Sequence, residues 1–162
     1  MKKEEIAEFI SLFDEIKYQG IGENKTEIEF WYARDLQKLL EYSDWRNFIS
    51  VVNKAKESCE ASKYKHHDHF VEVNKMVGIG LDTERKVDDI MLTRYACYLI
   101  AQNGDPKKQA IAFAQSYFAI QTRKQEILEK RIELAERLQA REKLIATETE
   151  LLGTIYERGI DN

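Results

Sequence analysis

The sequence predicts an α+β fold that is mainly α-helical, with a small β-sheet, a helix-turn-helix-like pair and a long C-terminal helix. Most hydrophobic residues recur at the three- and four-residue spacing of helices. The segments 27–33, 69–73 and 87–92 are instead rich in residues that favour strands. After Pro106, no residue that breaks a helix occurs until Gly153. Together these patterns place a small sheet among helices.

The first part of the chain alternates helix and strand. Residues 4–18 are amphipathic at helical spacing, and Gly20 and Gly22 are expected to end that helix. A strand over 27–33 leads into a short helix over 34–41. Ser43 is the expected N-cap of the next helix, over 44–61. These last two helices form the helix-turn-helix-like pair.

The second part contains two strands and two helices. The strands 69–73 and 87–92 flank a loop around two glycines, and a helix runs from Thr93 to Asn103. Asp105-Pro106 combines a favoured N-cap with a favoured first helical residue, so the last helix is expected to begin there. We expect an α+β domain over residues 1–104 and a long helix over 105–162, partly packed on that domain and partly projecting from it.

The long helix carries a hydrophobic seam that no later segment of the chain can cover. Forty-odd helical residues would extend about 70 Å. Its seam residues, spaced by seven, four, seven and seven positions, are Ile127, Leu134, Leu138, Ile145 and Leu152. We expect a homodimer through this helix or an interaction with downstream sequence, because the ending suggests that the natural chain continues. The alternative is a helix that folds back on its own domain.

Composition excludes several classes of protein. Hydrophobic residues make up 43% of the 162 residues and charged residues 33%, which excludes a disordered or collagen-like chain. The sequence lacks an apolar stretch of membrane-spanning length and a signal-peptide pattern. Cys59 and Cys97 are too few for a disulfide framework. We therefore expect a cytoplasmic protein without membrane contact.

Charge is unevenly distributed along the chain. The net charge is −4, which argues against a protein that wraps nucleic acid with its whole surface. Residues 34–65 and residues 123–146 each carry seven basic against five acidic side chains, whereas both ends of the chain are acidic. This basic middle is a weak indication of nucleic-acid binding.

The helix-turn-helix-like pair supplies the most specific binding hypothesis. Its second helix would present Arg46 and Asn47, residue types that make bidentate contacts with guanine and adenine. Ordinary solvated helix faces are the alternative. Other basic residues near the pair and the later helices could hold phosphates. The predicted nucleic-acid-binding residues are Arg34, Lys38, Arg46, Asn47, Lys54, Lys56, Arg94, Arg123 and Lys124.

Aromatic residues of the later helices allow two interpretations. Tyr95, Tyr98, Phe113, Tyr117 and Phe118 could stack on the bases of a single strand. Their helical spacing is more typical of a hydrophobic core.

The sequence contains no convincing catalytic or metal-binding motif, so we expect neither an enzyme, nor a metal site, nor a cofactor. All three histidines lie within 66–69, without further ligands at zinc spacing. Lys86, Asp88 and Asp89, with His69, weakly resemble a metal-dependent nuclease site. A solvated strand edge is the simpler interpretation of the acidic pair.

Three segments carry a family resemblance. FWYARDLQKLLEYSDWRNFISVVNKAKESC, DDIMLTRYACYLIAQNGDPKKQAIAFAQSYFAIQTRKQE and IYERGID resemble the bacterial DNA-damage-inducible protein D family. The N-terminal region of that family is similar to the BRO-N domain of phage antirepressors and insect-virus proteins. Where relatives carry glycine before the tyrosine of the helix–helix turn, this chain carries Glu41. A side chain there disfavours a left-handed turn.

The resemblance implies a non-enzymatic protein of the DNA-damage (SOS) response, without catalytic residues to carry over. Our first hypothesis is that it binds DNA, single-stranded DNA included, or a recombinase–DNA filament, or both. The second is an antirepressor-like module that sequesters a regulator without touching DNA. A metal-dependent nuclease is the weakest of the three.

Overall fold

The computed structural model describes residues 3–159, which form five α-helices and four β-strands. In chain order these are α1 (Lys3–Glu15), β1 (Lys17–Ile21), β2 (Glu27–Tyr32), α2 (Ala33–Leu39), α3 (Trp45–Ala61), β3 (Phe70–Gly78), β4 (Glu84–Leu92), α4 (Arg94–Asn103) and α5 (Gln109–Gly159). The predicted mainly helical α+β class is confirmed. The chain divides into two compact units, Met1–Ala119 and Ile120–Asn162. Residues 1–2 of the predicted first domain and 160–162 of the predicted second lie outside the described residues.

The four strands form one antiparallel sheet in the order β1-β2-β4-β3. The sequence does not predict β1, because KYQGI lacks the alternation of apolar and polar residues typical of a strand and its first residues continue the helical spacing of residues 4–18. Lys17 pairs with Trp31, and the Tyr18 ring stacks on Phe30 at 5.7 Å. Pairing with β2 therefore ends α1 at Glu15, before the predicted glycines.

The β3–β4 hairpin is longer than the two strands predicted there. Pairing begins at Phe70–Leu92 and continues to Gly78–Glu84. The outer half of this hairpin is exposed, so the hydrophobic residues that predicted the strands mark only its buried half. Backbone hydrogen bonds therefore continue the pairing of β3 and β4 into the exposed half, beyond the residues that are stabilised by burial.

The core of the first unit lies between the sheet and the helices. Phe13 stacks on Trp31 at 4.6 Å, and the indole Nε1 of Trp31 donates a hydrogen bond to the Phe13 carbonyl at 2.9 Å. Phe48 and Val52 of α3, Leu92 of β4, Ile100 of α4 and Ile111 of α5 are buried in the same cluster. Each helix therefore contributes one apolar face to a single core.

The turn between α2 and α3 is left-handed, contrary to the expectation from Glu41. Glu41 has φ 59°. Its N–H donates to the Lys38 carbonyl, and the next N–H, of Tyr42, donates to the Gln37 carbonyl. This pair of bonds is a Schellman motif, which normally has glycine at the left-handed position. Lys108 Nζ also donates to the Glu41 carbonyl at 3.0 Å, so contacts from elsewhere in the fold hold the turn.

Two predicted helix starts are wrong by one to three residues. Asp44, and not Ser43, caps α3, because its carboxylate accepts the N–H groups of the first turn. α5 begins at Gln109, because Asp105 first caps a separate single turn through the Lys107 N–H at 3.0 Å. The predicted break at Gly153 is also absent, and α5 continues to Gly159.

Glycine at a helix end usually adopts a left-handed φ, but Gly104 at the end of α4 does not. Its φ of −76° is open to any residue. A Cβ atom there would lie 2.5 Å from Cδ1 of the buried Ile111. Close packing between the end of α4 and α5 therefore requires the glycine.

Candidate nucleic-acid interface

A capped helix after a tight turn positions the candidate site. Oδ1 of Asp44 accepts the Arg46 N–H at 2.7 Å and the Asn47 N–H at 3.2 Å. These bonds satisfy two of the free amides at the start of α3. Phe48 and Val52 anchor the opposite side of the helix in the core. The outward side of α3 is therefore held rigidly from its first turn.

The outward side of α3 is polar and open to solvent. We call it the α3 surface and define it as Arg46, Asn47, Ser50, Asn53 and Lys54, all of which are exposed. Four of these residues line a shallow depression of about 540 Å³ with Trp45, Ile49 and Glu57. Cationic and amide side chains in one row are the residue types that contact phosphates and base edges.

The sequence-based prediction missed Asn53 of this surface. It lies three residues after Ser50 and seven after Arg46, on the same side of a helix. Applying the helical spacing beyond the first turn would have found it.

Arg34 lies beside the start of α3. Its guanidinium carbon is 4.0 Å from the centre of the Trp45 ring, and its Nε donates to the Asp88 carbonyl at 2.8 Å. Stacking and one hydrogen bond fix the orientation of the guanidinium. The structure thus brings a preset cation next to the α3 surface.

A groove of about 470 Å³ separates α3 from the β3–β4 hairpin. Trp45 and Ile49 line one side, and Glu72, Asp88 and Asp89 are among the residues on the other. Acidic side chains repel phosphate groups. The acidic lining of this groove therefore disfavours the entry of a phosphate backbone.

Asp89 is buried at the end of this groove and connects α2 to the sheet. Its Oδ1 accepts the Arg34 N–H at 3.1 Å and the Ile90 N–H at 2.8 Å. Its Oδ2 lies 3.4 Å from Lys75 Nζ but makes no hydrogen bond of good geometry. We interpret Asp89 as a structural residue that fixes the beginning of α2 against β4.

Two predicted phosphate-binding residues have partners within the first unit. Lys56 Nζ lies 3.2 Å from a Glu72 carboxylate oxygen. Arg94 donates to both oxygens of Glu29, at 2.7 and 3.1 Å, and to the Tyr117 hydroxyl at 2.8 Å. The Arg94 hydrogen bond lowers the pKa of Glu29 despite partial burial, and the same bond raises the pKa of Arg94. Both cations are thus largely neutralised by carboxylates.

The remaining predicted cations belong to other helices than α3. Lys38 is exposed in the last turn of α2. Arg123 and Lys124 belong to the second unit, where Arg123 pairs with Glu126 at 3.1 Å. The structure therefore places Arg46, Asn47 and Lys54 on the exposed side of α3, with Arg34 stacked on Trp45 beside its start.

The aromatic residues considered for base stacking belong to the core or pack against it. Tyr117 and Phe118 are buried, and Tyr95, Tyr98 and Phe113 are half-buried around them. Phe118 contacts the edges of Phe13 and Tyr98. All five residues therefore belong to the core or pack against it, as the core interpretation expects.

The residues considered for metal chemistry do not converge. Asp88 and Asp89 are adjacent in β4, so their side chains point to opposite faces. His69 Nδ1 is 2.9 Å from the Thr93 hydroxyl, and His66 pairs with Glu60. Within residues 3–159, no three histidine, cysteine, aspartate or glutamate side chains are grouped to hold a metal ion.

Neither cysteine has the environment of a nucleophile. Both are buried, and burial raises the pKa of the Cys59 and Cys97 thiols. Within residues 3–159, no helix is both long and apolar enough to cross a membrane.

Comparison with known proteins gives one family and one relative. The model of the BRO family, N-terminal domain, matches residues 22–122, which include both helices of the candidate site. The chain is 53% identical over 115 residues to DNA damage-inducible protein D of Escherichia coli (strain K12). That match covers 71% of this chain and 40% of the relative, so the chain spans less than half of that protein's length. No solved structure matches the chain.

Proposed function

The chain belongs to the BRO family through its N-terminal domain, and from that premise we propose that it is a non-enzymatic DNA-damage-response protein that binds DNA through the α3 surface. One observation carries the proposal. A helix that is capped at Asp44 and anchored in the core presents Arg46, Asn47 and Lys54 together to solvent. The name of the 53% identical relative supports the link to DNA damage.

Binding would combine phosphate contacts with contacts to base edges. Lys54 and the stacked Arg34 supply positive charge for phosphates. Arg46 and the two asparagines supply the planar hydrogen-bonding groups that read guanine and adenine. The acidic groove beside α3 confines the nucleic acid to the outward side of the helix.

The experiment is a fluorescence polarisation titration with single- and double-stranded DNA at about 50 to 200 mM salt. Over this range the affinity of a complex held by phosphate contacts falls by orders of magnitude. We expect the double variant Arg46→Gln/Lys54→Gln to bind at least tenfold more weakly, with a salt slope smaller by about one, because only Lys54 of the two is assigned to a phosphate. Arg85→Gln/Lys86→Gln removes the same charge from the exposed β3–β4 hairpin and serves as the control. Equal losses in both double variants, or no binding at any salt, would contradict the α3 surface.

The protein partner that we propose is a recombinase filament on single-stranded DNA. The support is chemical, since such a filament presents both phosphates and protein surface to a basic helix. Purified recombinase assembled on single-stranded DNA should bind the wild type more tightly than bare DNA does. Unchanged affinity on adding recombinase would limit the proposal to DNA.

An antirepressor-like module is the second candidate. The exposed hydrophobic residues of α5, from Ile127 to Leu152, favour it, because such residues commonly mark protein interfaces. This candidate predicts no DNA binding and a Leu138→Arg variant that loses its protein partner. Cleavage of plasmid DNA with Mg²⁺ or Mn²⁺ would contradict both candidates and favour a nuclease.

A further inference from the structure

The second unit carries one straight apolar stripe along α5. Its six residues are Ile120, Ile127, Leu134, Leu138, Ile145 and Leu152, and their side chains are between 37% and 66% exposed. At about 100° per residue, all six lie within about 20° of one line along the helix, which the exposed Tyr156 continues beyond Leu152. The spacing averages about 3.6 residues per turn, so the stripe does not wind around the helix as a heptad repeat does.

The spacing of the stripe is the same in both directions. Its intervals are seven, seven, four, seven and seven residues, symmetric about Glu136. An antiparallel second copy centred on that residue would place Leu134 opposite Leu138, Ile127 opposite Ile145, and Ile120 opposite Leu152. Every residue of the stripe would then meet a hydrophobic partner.

Charged residues border the stripe on two flanks and do not interrupt it. One flank carries Lys124, Arg131, Glu142 and Thr149, and the other carries Arg123, Lys130, Arg141 and Glu148. In each flank the glutamate is C-terminal to every cation, although Arg141 already lies beyond the centre at Glu136. The flanks are therefore polarised along the helix.

The two possible directions of pairing differ in electrostatics. In an antiparallel pair, symmetry brings each flank against the same flank of the other copy. Arg131 then meets Glu142 and Arg123 meets Glu148, each within about 2 Å along the axis, while Lys130 meets Arg141. In a parallel pair, opposite flanks meet, so Lys124 faces Arg123 and Arg131 faces Lys130. The antiparallel pair has twice as many attractive as repulsive contacts, and the parallel pair has the reverse.

We propose that α5 pairs with α5 of a second copy of this chain, antiparallel and centred on Glu136. The symmetric spacing of the stripe lets each of its hydrophobic residues meet a hydrophobic residue of the second copy. The charges of the flanks favour the antiparallel over the parallel direction. The inference concerns residues of the second unit and is independent of DNA binding by the α3 surface.

Disulfide trapping in the full chain tests the direction. Ile127→Cys and Ile145→Cys chains are prepared separately, then mixed, unfolded and refolded together in reductant, and only the folded mixture is oxidised mildly. An antiparallel pair gives a disulfide dimer from the mixture, whereas either variant alone gives none, because its two thiols lie about 27 Å apart along the axis. Wild type, whose two native thiols are buried, is the control. Dimers from each single variant would show parallel pairing and overturn the proposal, as would a monomeric chain in analytical ultracentrifugation.

A charge exchange tests the pairing of the flanks. Arg131→Glu should weaken the dimer roughly tenfold, and adding Glu142→Arg should restore it, because the exchanged pair again has opposite charges. Lys143→Glu changes charge equally on the opposite side of the helix and should leave the dimer unchanged. Failure of the double variant to recover would refute the register centred on Glu136.

Discussion

The ion pair of Arg94 with Glu29 gives the sharpest test of the fold against the sequence-based binding hypothesis. Arg94 spans β2, α4 and α5, because its guanidinium reaches Glu29 and the hydroxyl of the buried Tyr117. The perturbation is Arg94→Met, which keeps the aliphatic stem and removes the charge. It leaves the Glu29 carboxylate with only Lys17, at 3.9 Å, and leaves the buried Tyr117 hydroxyl without a cation.

The expected loss of stability follows from exposure. A charge-assisted hydrogen bond contributes about 1.5–3 kcal/mol where it is shielded from water. The Arg94 and Glu29 side chains are 39% and 38% exposed, so solvent screening reduces that contribution. We expect Arg94→Met to lower the free energy of unfolding by about 1–2 kcal/mol. DNA affinity should fall less than twofold.

Urea denaturation of wild type, Arg94→Met, Glu29→Gln and the double variant measures the coupling directly. The double variant should lose less than the sum of the single variants, with a coupling of about 0.5–1.5 kcal/mol. The structural assignment of Arg94 would be wrong if unfolding were unchanged while DNA affinity fell tenfold. That result would return Arg94 to the nucleic-acid interface.

Three further predictions concern pH, backbone strain and packing. The pKa of Glu29 is lowered in the folded chain, so the ionised carboxylate stabilises the fold fully above pH 4.5 and loses that effect as the pH falls through the lower folded pKa. In acid titrations followed by circular dichroism, the stability difference between wild type and Glu29→Gln should therefore vanish in strong acid. A difference that stays constant with pH would disprove this prediction. Glu41→Gly and Lys63→Gly should each stabilise the chain by about 0.5–1 kcal/mol in urea denaturation, because both residues have left-handed φ. The control is the same change at Glu57, within α3, which should destabilise the chain by about 1 kcal/mol. Equal losses of stability at all three positions would refute the strain argument. Gly104→Ala should cost about 1–3 kcal/mol in the same assay because its Cβ would overlap a buried isoleucine, and a wild-type midpoint would contradict the packing.

Local patterns in the sequence identified the helices but not all the strands. α3 and α4 have apolar faces at helical spacing, and their predicted limits agree with the structure to within one residue. β1 depends on pairing with β2, and its Tyr18 packs on residues of that strand. A partner supplied by another segment cannot be deduced from five residues alone.

In the candidate site, too, the features set by neighbouring residues could be predicted, whereas contacts between residues distant in the sequence could not. Helical spacing places Arg46 and Lys54 on one side of α3, and it also contained the signal for Asn53. The partners of Arg94 are 65 and 23 residues away, at Glu29 and Tyr117. Charge counting cannot separate a cation that is available to a ligand from one already neutralised by the fold.

The buried carboxylate of Asp89 has a consequence for genetics. It holds the first turn of α2, and the left-handed turn after α2 determines where α3 begins. A replacement such as Asp89→Ala removes the acceptor of the Arg34 N–H, so it would loosen the beginning of α2 and the turn into α3 while leaving every outward side chain of α3 intact. Under the function that we propose for α3, mutational screens would then score this position as important, although its side chain is buried.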